Sequence, residues 1–335
     1  MPFTTEAFIA TLALAGAVIV ITSLMSGLVE RANLPQVAVF LLLGLVIGPS
    51  VLGIMRIEIG SPVLRVVSTL GLALVLFTDA VTLNLSETRK HARLSFLILI
   101  PGTLLSAAAI AGLGRWLLGF GWPYAFMLGA AIASTDPVML RGLLRRRDLP
   151  RSSRLALRLE SGLNDIVLLP LLLVAMIFIP GHGEASPTTM LFRLFILGPL
   201  AGVAVGIGAI ALLRLARRHI GVRRDYESIY SLGVCFAAFA AAEGLHGSGF
   251  LASFAAGLMI SALDDDLCDC FVEYGETTAE MFLMFTFVLL GGGLIWSGLS
   301  SLTLGVAAFA VFALAARPVA LLLSLAGEKM EARSR

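Results

Sequence analysis

The chain has 335 residues, of which 58% are hydrophobic and 14% are charged. Its mean hydropathy of +0.96 lies well outside the range of soluble domains, so neither a soluble enzyme nor a nucleic-acid-binding domain is expected. The net charge of +2 says little about partners, because the charges are segregated along the chain. The three cysteines, Cys235, Cys268 and Cys270, give no disulfide framework, and no resident metal or cofactor is expected.

Long apolar stretches predict an all-α polytopic membrane protein. A stretch of roughly 18 or more apolar residues is long enough to cross a hydrocarbon core of about 30 Å. The first stretch lacks a basic n-region and a cleavage site, which favours a spanning helix over a removed signal peptide. Glycines such as Gly202, Gly206 and Gly208 indicate close helix packing rather than ligand binding. About eleven spans are predicted, over residues 6–29, 35–54, 62–84, 94–119, 123–144, 154–180, 190–215, 226–244, 247–263, 279–297 and 300–326.

Basic residues indicate the orientation of these spans. Most of the 24 Lys and Arg residues lie in alternate loops, with a dense run at 141–158. The positive-inside rule places these loops in the cytoplasm, so the N-terminus is predicted outside and the C-terminus inside the cell membrane. We interpret the arginine runs as topology signals rather than as a lipid-regulatory patch. By the same alternation, the acidic segment 264–276 is predicted to be a cytoplasmic loop.

The third span contains an acidic residue, Asp79, in the stretch "GLALVLFTDAVTLNL". An ionised side chain at the centre of a bilayer costs at least about 2.5–3.5 kcal/mol, so such residues mark ion pathways and binding sites. Asp79 lies near the predicted cytoplasmic end of the span, where an interfacial position is the alternative to a place in the site.

The fifth span contains Thr135, Asp136 and Pro137 near its middle. Proline lacks an N–H and clashes with the carbonyl group four residues back, so Pro137 is predicted to break the helix. A break within a membrane is tolerated where protein or a water-filled cavity satisfies the freed backbone groups, and half-helix ends then offer carbonyl groups to cations. The alternative is a simple kink in which Thr135 and Asp136 cap the second half-helix.

The sixth span contains Asp165, with Asn164 directly before it and Ser161 one turn earlier on the same face. A carboxylate beside a hydroxyl group offers the oxygen ligands that hard cations take. Burial favours the protonated carboxyl group and a bound cation favours the ionised one, so a proton and a cation compete for the same side chain. The alternative is a buried acid that a structural partner satisfies.

Glu160 and Arg317 are predicted to form an ion pair. Glu160 is five residues before Asp165 and points to a different side of the helix, whereas Arg317 lies well inside the last span. Mutual neutralisation is the economical arrangement, since a lone buried charge costs far more than a paired one. The alternative is that Arg317 snorkels to the cytoplasmic interface.

The residues around both buried aspartates resemble the paired motifs of a known transporter family. "STDPV" (134–138) and "ESGLND" (160–165) are similar to A-T-D-P-V and E-S-x-x-N-D. These are the usual forms in the electroneutral, NhaP-like sodium/proton exchangers among the monovalent cation:proton antiporters. The similarity extends to "LPQVAVFLLLGLVIGPSVLG", "LFTDA", "LHGSGFLASFAAGLMI" and "ARPVALLLS", and so covers essentially the whole chain. It implies a secondary antiporter that exchanges Na⁺, or alternatively K⁺ or Li⁺, for H⁺.

The resemblance also implies a role for each candidate residue. Asp165 corresponds to the essential carboxylate that binds cation and proton. Asn164, where electrogenic relatives have a second aspartate, implies one-for-one exchange. The further cation ligands that the resemblance implies are Asp136, the Thr135 backbone, Ser161 and Asp79. The structural ion pair and the helix break of the family correspond to Glu160, Arg317 and Pro137.

The same resemblance implies a fold and an assembly. Members of the family adopt an NhaA-like inverted-repeat fold with a discontinuous helix, and they form homodimers in which a core domain moves like an elevator. For this chain the expectation is one integral membrane domain over residues 1–335, with core ion-binding helices at 123–180. About eleven of the usual thirteen transmembrane helices are recognised.

The expected lack of the last two family helices leaves a second function open. A truncated, non-transporting membrane remnant or an interaction subunit of an antiporter is the alternative to an active exchanger. A transporter of anions or organic acids is disfavoured, because anion sites use basic groups and helix N-termini whereas this chain offers carboxylates.

Overall fold

The structure is a computed structural model that describes residues 36–49, 51–53, 60–83, 96–134, 151–179, 186–293 and 302–324, with isolated residues at 16, 17, 20, 21, 24, 296 and 298. All regular secondary structure in these residues is helical, which confirms the predicted all-α class. In chain order the α-helices are α1 (Gln36–Ile47), α2 (Pro62–Thr82), α3 (Thr103–Leu117), α4 (Trp122–Ala133), α5 (Arg151–Ile177), α6 (Pro187–Phe192), α7 (Gly198–His219), α8 (Arg224–Gly244), α9 (Gly249–Leu263), α10 (Asp265–Gly291) and α11 (Leu304–Ser324).

Several of these helices have the length and composition of membrane spans. Within the described residues, the helices that are long and apolar enough to cross a membrane are Pro62–Thr82, Ile98–Leu117, Pro187–His219 and Leu304–Ser324. Shorter apolar helices accompany them at Val37–Ile47, Trp122–Ala133, Asn164–Ile177 and Gly249–Leu263. Each of these segments overlaps a predicted span. The total of about eleven spans stays a prediction, since the first predicted span, 6–29, lies mostly outside the described residues.

The acidic segment 264–276, predicted to be a loop, is helical in the structure. A single residue, Asp264, separates α9 from α10, and the acidic segment forms the first half of α10. The Asp264 carboxylate accepts a hydrogen bond from the backbone N–H of Leu267 (3.0 Å) and caps the helix. Carboxylates in a first helical turn also interact favourably with the helix dipole. The prediction of a loop is therefore wrong, because acidic composition at this position starts a helix.

Two helices are preceded by a π-helical turn that contains or adjoins a proline. The turn Ile98–Gly102 leads into α3 and contains Pro101. The turn Arg193–Leu197 leads into α7, in which Pro199 is the second residue. Proline has no N–H for the α-helical ladder, and the wider turn accommodates the missing bond. Both segments therefore continue as helices through their prolines.

The described helices other than the short α6 pack as two groups. The six-helix group consists of α1, α2 and α7 to α10, and the four-helix group consists of α3, α4, α5 and α11. In the six-helix group, the rings of Phe77 and Phe271 pack edge to face with their centroids 5.3 Å apart. The buried core of the four-helix group consists of Ala107, Ile110, Ala130, Ala133, Leu168, Phe309 and Ala313.

The two groups meet at a contact that we call the seam. It is formed by Ile166 and Leu169 of α5, which pack against Leu76 and Ala80 of α2 and against Phe254 of α9. All five side chains are apolar, so the seam is held by burial rather than by hydrogen bonds between these residues. The seam places the middle of α5 beside the C-terminal half of α2.

Glycines on α7 allow α9 to approach closely. A Cβ atom at Gly202 would collide with the backbone carbonyl group of Ala252, and a Cβ atom at Gly206 would lie 2.9 Å from the Cβ of Met259. Gly208 instead faces open space. The predicted packing role is therefore confirmed for the first two glycines and wrong for Gly208, which lies on the other side of the helix.

Replacing Gly202 with alanine is expected to lower the thermal stability of the purified protein. The added methyl group meets a backbone atom that cannot move aside as a side-chain tip would, and overpacking of this kind costs about 1–3 kcal/mol. Gly208→Ala is the matched control, because it adds the same methyl group into open space and improves helix propensity. Thermal unfolding of both variants in detergent checks the prediction, and equal melting temperatures would contradict it.

Charged side chains join the helix ends at one end of the six-helix group. Nε of Arg217 on α7 donates to Oε1 of Glu227 on α8 (2.8 Å), and one Nη atom donates to Oδ2 of Asp264 (3.0 Å). The Ser261 hydroxyl near the end of α9 donates to the carbonyl group of Leu83 just after α2 (2.9 Å). This end of the group is therefore also the end of α2 that contains Asp79.

Candidate ion-binding site

Helix α4 ends within the predicted fifth span, at Ala133. Its 12 residues give a length of about 18 Å, well short of a hydrocarbon core of about 30 Å. Ser134 follows in an extended conformation (φ −71°, ψ 142°), so the chain leaves the helical path at the start of the STDPV motif. The last carbonyl groups of α4 have no intrahelical donors, and they direct the negative end of the helix dipole towards Ser134.

Asp165 lies between two differently packed faces of α5. Asn164 is fully buried, and Leu168, one turn later, belongs to the core of the four-helix group. Ile166 and Leu169 pack at the seam. Successive residues of an α-helix are about 100° apart around its axis, so Asp165 lies at the boundary between these faces. Its side chain is partly exposed there.

A hydrogen bond joins the end of α4 to Asp165. The exposed Ser134 hydroxyl donates to Oδ1 of Asp165 at an Oγ–Oδ1 distance of 2.9 Å. Hydrogen bonds to a carboxylate are among the stronger ones in proteins, so this contact fixes the position of the carboxylate oxygen. Ser134 was not predicted as a site residue, although it is the first residue of the STDPV motif. The contact places a side-chain oxygen from the end of α4 beside one from α5, outside the packed core of the four-helix group.

Pro170 lies within α5, and the helix nevertheless continues from Arg151 to Ile177. Proline has no N–H to donate to the carbonyl group four residues back, which is that of Ile166. This carbonyl oxygen is therefore released from the helical ladder one residue after Asp165. Pro170 therefore removes one backbone hydrogen bond from α5 in the turn that follows Asp165.

Glu160 and Arg317 form an ion pair between α5 and α11. An Nη atom of Arg317 donates to Oε1 of Glu160. The Glu160 side chain is 8% exposed and that of Arg317 is 17% exposed, so both charges are largely removed from solvent. Glu160 lies on the same face of α5 as the buried Asn164. The pair therefore fixes α5, and Asp165 with it, relative to α11 within the four-helix group.

Asp79 lies on a partly exposed stripe of α2. Between residues 71 and 81, Leu72, Val75 and Asp79 are partly exposed and the other residues are buried. Their spacing of three and four residues places them on one helix face, which Ser68 continues towards the start of the helix. Asp79 directly precedes Ala80, which belongs to the seam. Asp79 and Asp165 thus belong to two helices that both contribute side chains to the seam, α2 and α5.

A cavity of about 520 Å³ lies at the other end of this stripe, between the first turns of α2 and the last turns of α10. Ser68 lines the cavity and is about 16 Å from Asp79 along the helix axis, at a rise of 1.5 Å per residue. The stripe therefore leads from the cavity towards the seam. The lining residues are Gly60, Leu64, Arg65, Ser68, Thr286 and Leu290.

Several predicted site residues cannot be placed beside Asp165. Thr135, Asp136 and Pro137 lie outside the described residues. The backbone of Ser161 belongs to α5, one turn before Asp165, whereas its side chain is outside the described part of the chain. The roles predicted for these four residues therefore stay predictions.

The described part of the site is made of oxygen atoms. No group of three or more His, Cys, Asp and Glu side chains in the described residues is arranged to hold a metal ion. The site instead offers the Asp165 carboxylate and the Ser134 hydroxyl group. Oxygen donors of this kind suit hard cations. A single carboxylate suits an ion that must be released again, since conduction requires binding that is not too tight.

An accessible carboxylate between groups of apolar membrane helices is typical of ion-transporting membrane proteins. Within this class, the chain belongs to the sodium/hydrogen exchanger family, because residues 17–334 match the family described as "Sodium/hydrogen exchanger, transmembrane". This match confirms the resemblance that the STDPV and ESGLND motifs indicate.

Individual relatives include antiporters named for different cations. The chain is 26% identical over 326 residues to the K⁺/H⁺ antiporter NhaP of Alkalimonas amylolytica, which covers 96% of this chain and 56% of that protein. It is 26% identical over 241 residues to the Na⁺/H⁺ antiporter NhaP of Pseudomonas aeruginosa, covering 68% of this chain and 56% of that protein. The chain thus spans about half the length of the curated relatives it matches.

A solved structure shares the fold. The sodium proton antiporter MjNhaP1 of Methanocaldococcus jannaschii at pH 8 superimposes with a TM-score of 0.80 over 98% of this chain and 81% of that chain, at 22% sequence identity. At this identity the similarity establishes the fold, while the chemistry of the site rests on the residues of this chain.

Proposed function

We propose that the chain is an antiporter that exchanges a monovalent cation for H⁺ across the cell membrane. The observation that carries this proposal is the partly exposed Asp165 carboxylate, which Ser134 holds beside the seam. An ionisable group at such a position is costly in a membrane and is therefore a marker of function. Binding a cation and a proton in turn is the function that a single accessible carboxylate supports.

Coupling of the two ions requires only that they compete for Asp165. A bound cation neutralises the carboxylate, and so does a proton, whereas the empty site leaves a bare charge in apolar surroundings. The site therefore crosses the membrane favourably only when one of the two ions is bound. One carboxylate that carries either one cation or one proton gives one-for-one exchange, and the neutral side chain of Asn164 adds no second charge.

We infer that the four-helix group carries the site from one side of the membrane to the other, as in an elevator. The proposed core ion-binding helices, at 123–180, include α4 and α5 of this group. Two observations support the movement: the Glu160–Arg317 pair fixes α5 within its own group, and the seam to the other group consists of apolar side chains.

Further residues complete the proposed ligand set. The Thr135 backbone, Asp136 and Ser161 provide additional oxygen ligands, and Asp79 attracts the cation from α2. Na⁺ is the first candidate for the cation, because the matched family is described as a sodium/hydrogen exchanger. K⁺ and Li⁺ are alternatives, since one relative is named for K⁺ and another for Na⁺. The choice among these ions depends on the number and spacing of the ligands.

The proposal includes an orientation and an assembly. The N-terminus is outside, the C-terminus is cytoplasmic, and two copies of the chain form a homodimer. The positive-inside rule supports the orientation, because the arginine-rich end of α7 then faces the cytoplasm.

Proteoliposomes that contain a pH-sensitive dye test the proposed exchange. Addition of Na⁺ outside the vesicles is expected to raise the internal pH, because cations enter as protons leave. Clamping the membrane potential at zero should leave the rate unchanged if the exchange is one-for-one. Parallel additions of K⁺ and Li⁺ rank the cations. A correctly folded protein that gives no proton flux with any of the three cations would refute the proposed function.

A further inference from the structure

We propose that Ser134 is an additional oxygen ligand of the transported cation and helps to set the affinity of the site for it. This inference rests on the proposed function. The contact that supports it is the 2.9 Å hydrogen bond from the Ser134 hydroxyl group to Oδ1 of Asp165.

The hydroxyl group of Ser134 can donate a hydrogen bond to Asp165 and can also coordinate a cation through its oxygen. A serine hydroxyl has one hydrogen to donate and two lone pairs to accept or coordinate with. In the structure it donates to Oδ1 of Asp165. When a cation binds that oxygen, rotation about the C–O bond turns the hydrogen away and a lone pair towards the ion. The same side chain therefore serves both the empty and the loaded site.

The distance between the two oxygens suits a shared ion. A cation bound to oxygens at about 2.3–2.6 Å, as Ca²⁺ is, can touch two oxygens that are about 2.9 Å apart with an O–cation–O angle of roughly 70–80°. Neighbouring ligands of an octahedral ion subtend about 90°, so the two oxygens would separate by roughly half an ångström to reach that angle. The arrangement of Ser134 and Asp165 therefore needs little movement to hold a cation between them.

The backbone around Ser134 also favours a cation. Ser134 is the first extended residue after α4, so the carbonyl end of that helix faces the position of the hydroxyl group. This end has the negative part of the helix dipole, which attracts a positive charge. Ser134 lies at the surface of the described helices rather than in their packed core. An anion, by contrast, would meet a carboxylate and a helix C-terminus together.

Ser134→Ala tests the inference in proteoliposomes. Loss of one oxygen ligand is expected to raise the apparent KM for the cation by about 3- to 10-fold while the maximal rate changes by less than about twofold. Ser134→Thr retains the hydroxyl group and should restore the original KM. Ser106→Ala is the matched control, because Ser106 is buried in α3 and donates to the Gly102 carbonyl group (2.8 Å), away from the site.

A second measurement separates ligand binding from transport. A cation at concentration c that binds only the folded protein stabilises it by RT ln(1 + c/Kd), so the Ser134→Ala variant should need about 3- to 10-fold more cation for the same rise in melting temperature. An unchanged or lowered KM, or a fall in maximal rate alone, would overturn the inference. If the unchanged protein itself transports no cation, the proposed function fails first. If it transports and Ser134→Ala behaves like it in both measurements, only the role of Ser134 fails.

Discussion

Replacing Asp165 with asparagine is expected to reduce cation-driven proton flux to the background of empty vesicles. Asparagine retains the size of the side chain and still accepts a hydrogen bond from Ser134, but it can neither release a proton nor neutralise a cation. Both ions therefore lose their common site. The dye assay in proteoliposomes, with protein amounts matched to the unchanged protein, measures this loss.

The folding of the Asp165→Asn variant is checked by thermal unfolding. Removal of a partly buried charge should leave the melting temperature equal or higher, because asparagine does not need a counter-ion in apolar surroundings. The rise in melting temperature on addition of cation should disappear. Flux at the original rate in this variant would refute the assignment and direct attention to the other predicted carboxylates, Asp136 and Asp79.

Replacing Arg317 with methionine is expected to destabilise the protein strongly. Glu160 would then be left in a largely buried position without the arginine charge, and removal of one partner of a buried pair costs about 3–5 kcal/mol. Methionine fills a similar volume, so the loss reports on charge rather than on packing. The melting temperature of the purified variant measures the effect.

The double variant Glu160→Gln and Arg317→Met provides the control for this prediction. With both charges removed, most of the lost stability should return, because neither group is then a buried charge without its partner. The difference between the double variant and the sum of the two single variants gives the coupling energy of the pair. A single Arg317→Met variant as stable as the unchanged protein would show that the ion pair does not hold α5.

The helical architecture was predictable because the membrane leaves few alternatives. A chain in hydrocarbon must satisfy its backbone groups internally, so long apolar stretches become helices. Helix ends were less predictable, because they depend on local chemistry that composition does not report. The acidic residues after α9 start a helix instead of forming a loop, and Pro101 and Pro170 lie within continuous helical segments.

The ion pair near the candidate site was predictable from the sequence, because a buried charge without a partner is energetically costly. Glu160 and Arg317 were expected to meet because each would be expensive alone, and the structure brings them together. The contact from Ser134 to Asp165 was not predictable in the same way. Burial of a serine hydroxyl group costs far less free energy than burial of a charge, so the sequence does not indicate which partner it will have. Its partner, Asp165, is also 31 residues away in sequence. Only the packing of α4 against α5 makes the two side chains neighbours.

The glycine contacts have a mechanical consequence. Several glycines among the described residues bring backbone against backbone within one helix group, for example Gly202 against Ala252, Gly44 against Val288 and Gly129 against Ala107. Such contacts resist sliding, since backbone atoms cannot yield as side-chain tips do. At the seam, Ile166 and Leu169 pack against their neighbours through apolar side chains. We therefore expect each helix group to move as a rigid body and the two groups to slide past each other at the seam, with Asp165 at its edge.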